Sequence, residues 1–300
     1  MLSYLRKTTL FSRSSHWYRR RLAAFSTSHS VYTEPRPPFN AISGFKLTES
    51  PNPTWKLADG LPTDTAFGKQ WKQEETRGWK SWDTNTTTGR DLYRLLTSAV
   101  IPRPIAFVSS LSADGVPNLA PMSYFNVVSH SPPLLSVSLS LSPRKPKDTR
   151  ENIHATKEFT VNIISEPFVE AANICSVEAP PEVDEWLVSG LTPQPSVSVK
   201  PARVKESAVN IECELYRSID FASESNGPPT TTLLIGLIKH IHIRNAVLTE
   251  DQKTVDPSKL RPVARLEGNT FVRLGEAFDV ARPSWKALKD SVEEMIEERK

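Results

Sequence analysis

The chain has 300 residues, 38% of them hydrophobic and 24% charged, enough for one sizeable core, and it carries 25 prolines against only 11 glycines, the reverse of the usual order. No two glycines stand closer than seven positions apart, so neither a G-x-G-x-x-G dinucleotide turn nor a G-x-x-x-x-G-K phosphate loop can be written, and Rossmann, kinase and P-loop chemistry drop out. The net charge of +3 raises the question of nucleic acid, but six of the cations lie in residues 1–33 without a single acid; removing them leaves 31 basic against 34 acidic residues, net −3, and no nucleic-acid partner is expected.

That first segment holds Arg6, Lys7, Arg13, Arg19, Arg20 and Arg21 among seven serines, the composition of a mitochondrial transit peptide. Cleavage is expected between Arg21 and Tyr32, with the mature protein in the mitochondrial matrix. Residues 34–89 are polar and broken by proline, as in a linker, yet they hold four of the seven tryptophans: Trp55, Trp71, Trp79 and Trp82. Disordered segments are poor in aromatics, so the alternative is an extension that wraps over the domain or over a partner subunit.

A domain is expected over 90–284. Asp91 to Leu96 reads as a short helix ended by Ile101-Pro102-Arg103-Pro104, because proline cannot supply helix donors. Ile105 to Leu111 is a strand, Ser112 to Gly115 a turn, and Val116 to Val128 a second strand interrupted at Pro117 and Pro121. Leu134 to Leu141 alternates so that serines occupy one face and apolar residues the other. Thr160 to Ile164, Ala208 to Phe221 and Thr230 to Arg244 read as further strands, with helical stretches at 148–155, 167–176 and 256–265. Over 285–300, Trp285, Leu288, Val292, Met295 and Ile296 recur at helical spacing and predict an amphipathic terminal helix that packs on its own domain or on a second subunit. Many antiparallel strands with few, brief helices predict a mainly β protein, a closed or nearly closed barrel rather than a doubly wound sheet.

Hydrolytic and metal chemistry find no support. The two cysteines, Cys175 and Cys213, form neither a zinc set nor a disulfide framework and read as reduced thiols. His240 and His242 share one strand face, but no third ligand lies nearby, so they read as polar side chains on the exposed face of a sheet. Glu182, Asp184 and Glu185, beside Pro180-Pro181, read as a solvated acidic loop. No run of about 18 apolar residues is present, so no membrane span is expected.

One stretch carries chemistry. It runs from Ala-Val-Ile-Pro-Arg-Pro-Ile-Ala-Phe-Val-Ser-Ser at residue 99, through Asp-Gly-Val-Pro-Asn-Leu-Ala-Pro-Met-Ser-Tyr-Phe-Asn-Val-Val-Ser and Ser-Pro-Pro-Leu-Leu, to Lys147-Asp148-Thr149-Arg150-Glu151-Asn152-Ile153 and Glu158-Phe159-Thr160-Val161-Asn162-Ile163. Val183-Asp184-Glu185-Trp186, Gly190-Leu191-Thr192-Pro193 and the segment from Asp256 to Leu266 continue it. In this order the blocks resemble the flavin reductase-like domain family, FMN-binding split barrels that include flavoredoxins and the reductase components of two-component monooxygenases.

The resemblance implies an antiparallel, Greek-key-like split β-barrel with short peripheral helices. It also implies a homodimer, FMN or alternatively FAD as cofactor, NADH or NADPH as electron donor, and a monooxygenase or other acceptor. No side chain is expected to act as a catalytic group, since flavin N5 carries the hydride. The segment Asn118, Ala120, Pro121, Met122 and Ser123 suits the polar edge of a flat ring, because Pro117 and Pro121 remove ladder donors and expose neighbouring backbone. Lys147, Asp148 and Thr149, with Arg144, Lys145 and Arg150 nearby, enter a helix whose N-terminus suits a phosphate; in the family the corresponding Lys-Asp-Thr segment lies close to it. Ser140 and Asn126 are candidates for ribityl or ring contacts. Arg103, held between two prolines, could reach a phosphate or pair with a surface acid. Two other readings stay open: an oxidase or reductase that acts on a small metabolite through tightly held FMN, and a non-catalytic FMN or haem binder.

Overall fold

Thr88 caps the first helix of the domain by accepting the Asp91 N–H, while its own hydroxyl donates to the Asp91 carboxylate at 2.8 Å. That helix, α2 (Gly89–Ala99), stops at Val100 ahead of the prolines, and it follows β1 (Lys46–Thr48) and α1 (Ala66–Glu74). Next come β2 (Ala106–Leu111), β3 (Pro117–Met122), β4 (Phe125–His130), β5 (Pro133–Ser140), α3 (Asp148–Thr156) and β6 (Glu158–Ile163). After α4 (Val169–Ile174), α5 (Glu185–Ser189) and the short strands β7 (Pro193–Gln194) and β8 (Arg203–Val204), the chain forms the long hairpin of β9 (Val209–Ala222) and β10 (Pro229–Ile243). It ends with α6 (Pro257–Leu260), β11 (Val263–Arg265), β12 (Phe271–Arg273), β13 (Glu276–Phe278) and α7 (Trp285–Glu297). This computed structural model describes residues 36–42, 44–142, 146–180, 183–223 and 227–299. The transit-peptide reading therefore lies outside the described residues.

The expected mainly β architecture forms. Seven strands make one antiparallel sheet in the order β3-β2-β6-β9-β10-β5-β4. β5 and β6, neighbours in sequence, are parted by the β9–β10 hairpin, a Greek-key-like exchange. The sheet's two faces bury different sets of side chains. One set joins Val108, Leu135, Val137, Leu139, Phe159, Val161 and Leu234. The other lays Phe107, Leu119 and Ile105 against Phe168, Ala172, Cys175 and Trp186 of the α4–α5 layer. β2 is covered on both faces, which is why the apolar run from Ile105 into its first residues, as far as Val108, is unbroken, whereas β5 alternates as predicted, with Leu135, Val137 and Leu139 inward. Each large apolar side chain so buried contributes about 1.5–3 kcal/mol. Gly236 sits where a Cβ would lie 2.5 Å from the tip of the Phe159 ring, so the hairpin closes on the core only with glycine there.

Two elements depart from expectation. The strand predicted over 116–128 breaks at Ser123–Tyr124 rather than at its prolines, because both prolines fit the unpaired edge of β3 without loss of a ladder bond. The helix predicted over 256–265 ends at Leu260, where Arg261 turns left-handed (φ 52°) and Pro262 lacks a donor; Val263–Arg265 then pairs with Phe271–Arg273. The terminal helix α7 forms as expected; Leu288, Val292 and Met295 are half-buried, none of its residues is fully buried, and Trp285 and Ile296 stay exposed. In the extension, β1 lies parallel to β13 with Lys46 opposite Glu276, while Trp79 remains 97% exposed. Among the described residues both cysteines are free and buried, as predicted.

Candidate functional site

The site grows from the free edge of β3. Opposite residues in an antiparallel pair alternate between those that exchange hydrogen bonds and those whose N–H points away. Pro117 and Pro121 have no N–H and occupy the outward set, which leaves Leu119 as the one outward donor between them. That N–H is taken by Glu185, whose Oε2 lies 3.3 Å from it and 3.3 Å from the Asn118 amide nitrogen. Asn118 in turn accepts from Thr149 at 2.8 Å and from the Ser110 hydroxyl at 3.4 Å, and Asn152 donates to Ser110. Glu185, Asn118, Thr149, Ser110 and Asn152 are all buried. Thus β2, β3, α3 and α5 share one polar network.

Asn118, Thr149 and Glu185 of this network line a cleft of about 500 Å³. One wall is the start of α3, where Lys147 is the N-cap and no side chain among the described residues caps the helix; its carbonyl takes the Arg150 and Glu151 N–H groups, which leaves those of Asp148 and Thr149 for an anion. A second wall is the segment 175–179 after α4, and Ser140 at the end of β5 closes a third side. Burial pushes the Glu185 carboxyl up; the Leu119 N–H pulls it partly back, while Asp148 and Asp184 add to the rise. Burial also pushes the Cys175 thiol up to about 11, so this cleft residue carries no thiolate at neutral pH.

Of the residues singled out from sequence, Asn118, Ala120, Pro121, Ser140, Lys147, Asp148 and Thr149 line this cleft. Ser123 lies instead in a smaller pocket of about 130 Å³ that shares Pro121 and Ser176 with it. Met122 turns into the core between the sheet faces. Asn126 is exposed on β4, and its amide oxygen accepts the Val127 N–H. Arg103 is neither a phosphate ligand nor a surface ion pair: its buried guanidinium donates to the Thr97 and Leu266 carbonyls and ties α2 to the segment after β11. Arg150 leaves the cleft for Asp220 (2.9 Å) and Glu151 (2.6 Å). Arg144 and Lys145 lie outside the described residues.

Sequence reasoning missed Glu185 and placed it in a solvated loop. Asp184 caps α5 by accepting the Trp186 N–H at 2.9 Å, and Trp186 buries itself in the core; between them Glu185 is turned inward, with 7% exposure. An acid between an N-cap and a buried tryptophan is the signal that could have marked it. His242 was also misread. It hydrogen-bonds Glu212 at 2.6 Å, and that fully buried carboxylate also accepts the Val197 and Ser198 N–H groups.

Comparison with known proteins bears on this cleft. The model of the family described as "Flavin reductase like domain" matches residues 97–258. An uncharacterized protein of Bacillus subtilis, YwrF, is 39% identical over 197 residues, 66% of this chain and 96% of its own length. Component B of nitrilotriacetate monooxygenase from Bacillus cereus superposes with a TM-score of 0.64 at 36% identity, covering 68% of this chain and 99% of its own. A Shewanella frigidimarina protein with a split barrel domain superposes at 0.57 with 22% identity, covering 69% and 99%, which bears on fold alone.

Proposed function

The chain belongs to the flavin reductase-like domain family, whose members are flavin-binding oxidoreductases, and on that premise we propose that it is an FMN-binding enzyme that draws a hydride from NADH or NADPH and delivers it to an acceptor. The observation that carries this reading is the cleft between the β3 edge and the uncapped start of α3, whose donors suit a phosphate at one end and whose strand edge suits a flat heterocycle at the other.

Bound FMN would supply the redox chemistry at N5 of its ring. The protein's part is to hold and orient it. Lys147 and the Asp148 and Thr149 N–H groups at the start of α3 would take the phosphate, and the hydroxyl of Ser140 the ribityl chain. With two prolines at the β3 edge and the Leu119 N–H already held by Glu185, that edge offers carbonyl acceptors and no free donor, which suits the imide N–H of a flavin. Glu185 fixes Asn118 and through it Thr149, so the ring end and the phosphate end of the cleft are set by one rigid network.

The expected result on purified full-length protein is a yellow species with a flavin spectrum that bleaches when NADH or NADPH is added without oxygen. A bound flavin that neither donor bleaches would sink the enzymatic reading. The proposal includes a homodimer, supported by Tyr216, Ile219 and Phe221 exposed on the outer half of β9 and Val127 and Val128 on β4; a monomer mass in sedimentation of the same sample would remove it. It also includes mitochondrial import, which rests on residues 1–33 alone and gains nothing from the bacterial relatives. Mass spectrometry of the endogenous protein should find its N-terminus between residues 22 and 32; an intact Met1 would count against import.

A further inference from the structure

The small pocket beside the cleft has a chemistry of its own. Its floor is apolar, made by Ile105, Ile164 and Phe271. Its polar groups are the guanidinium of Arg265, the amide of Asn173 and the hydroxyls of Ser123 and Ser176, and no carboxylate lines it. Ser123 and Asn173 make no side-chain hydrogen bond among the described residues. The Ser176 hydroxyl donates to the Asn173 carbonyl.

Arg265 is the unusual member. Arg261 and Arg273 on the same stretch of chain both reach Glu166. Arg265 instead donates to the Gly268 carbonyl and lies over the Phe271 ring, 4.5 Å from its centroid, with no acid in ion-pair range among the described residues. Its backbone is bridged to that of a second arginine, Arg103. Burial works against its charge, with Arg103 adding to that and Tyr93 partly offsetting it, so an anion seated there would relieve a cost rather than add one. A half-buried guanidinium stacked on an aromatic, with most of its five donors unspent, is a fork suited to a planar carboxylate.

We propose that this pocket is the subsite for the second substrate, and that it takes a small planar carboxylate whose acid group meets Arg265 and whose ring or double bond lies on Ile105, Ile164 and Phe271, next to the shared wall at Pro121. The proposal rests on the reading of the larger cleft as the flavin site. A space of about 130 Å³ admits one ring or a short unsaturated acid and excludes a dinucleotide.

The test is calorimetric binding of benzoate to the full-length protein with and without FMN, and benzamide is the neutral isostere. Benzoate should bind in both states, at least about tenfold more tightly than benzamide, and Arg265→Gln should remove that preference while Arg265→Lys keeps part of it. FMN affinity, followed by quenching of flavin fluorescence, should be the same in Arg265→Gln as in wild type, which also reports that the variant is folded. Equal binding of benzoate and benzamide, or a preference that survives Arg265→Gln, overturns the assignment. So does displacement of benzoate by FMN, which would make the pocket part of the flavin site, and so does inorganic phosphate competing as well as benzoate, which would make it a general anion site. A protein that binds benzoate through Arg265 but never binds FMN would refute the flavin reading and leave the carboxylate pocket standing.

Discussion

Glu185→Ala is expected to lower the unfolding free energy by about 2–4 kcal/mol, since it strands two buried donors, the Leu119 N–H and the Asn118 amide, at about 1–3 kcal/mol each. For a domain of this size that corresponds to a fall in Tm of about 5–15 °C. Glu185→Gln keeps an acceptor oxygen and should lose less. Its pH dependence carries a signature. The folded-state pKa of Glu185 is raised above the ordinary 4.5 by burial and by Asp148 and Asp184. Below the ordinary value the carboxyl is neutral in both states and adds no penalty. As pH rises from there through the folded pKa, the folded state holds a proton that the unfolded chain releases, and wild-type stability falls. The neutral Gln has no such term. The stability gap between wild type and Glu185→Gln should therefore narrow between pH 4 and pH 8 in thermal unfolding. A gap that stays flat or widens would mean that the fold does not raise the pKa of Glu185, and a loss below about 1 kcal/mol for Glu185→Ala would mean that its donors find other partners.

Lys147→Ala, alone and with Thr149→Ala, should separate FMN from riboflavin. The two ligands share a ring and ribityl chain and differ in the phosphate. Removing one charge-assisted contact weakens binding by about 10- to 100-fold, so the single variant should lose that much for FMN and little for riboflavin. Thr149→Ala also takes from the Asn118 side-chain oxygen the nearer of its two donors, at 2.8 Å, and leaves only the Ser110 hydroxyl at 3.4 Å; some loss for both ligands is expected on top of the phosphate effect. Equal loss for FMN and riboflavin in Lys147→Ala would place the phosphate elsewhere in the cleft.

These expectations rest on contacts of unequal visibility in the chain. The end of the cleft proposed to take the phosphate was readable as local chemistry: Lys147, Asp148 and Thr149 are contiguous, and a helix entered without a side-chain cap presents its free donors wherever it is placed. The alternation of Leu135, Val137 and Leu139 against serines marked β5 and its inward face in the same way. Pro117 and Pro121 marked an edge, though the chain turns two residues beyond Pro121 rather than at it. Nothing local distinguishes an arginine that braces two carbonyls, as Arg103 does, from one that binds an anion, or shows that the Asn126 oxygen takes the N–H of its own neighbour and lies apart from the cleft.

The large surplus of proline over glycine already excluded the phosphate loops that need clustered glycine, and periodicities of two and 3.6 placed the strands and helices, because these features depend on residues within a few positions of one another. Only tertiary structure could bring Glu185 to Leu119, 66 residues away, or Arg265 to the flank of Pro121. Such contacts arise where β2 is covered on both faces, α5 is drawn in by Trp186, and the chain after α6 turns back at Arg261 to pair β11 with β12. A buried carboxylate is stable only with the partners that the fold supplies, and no short window of sequence contains both Glu185 and Leu119, or both Arg265 and Pro121.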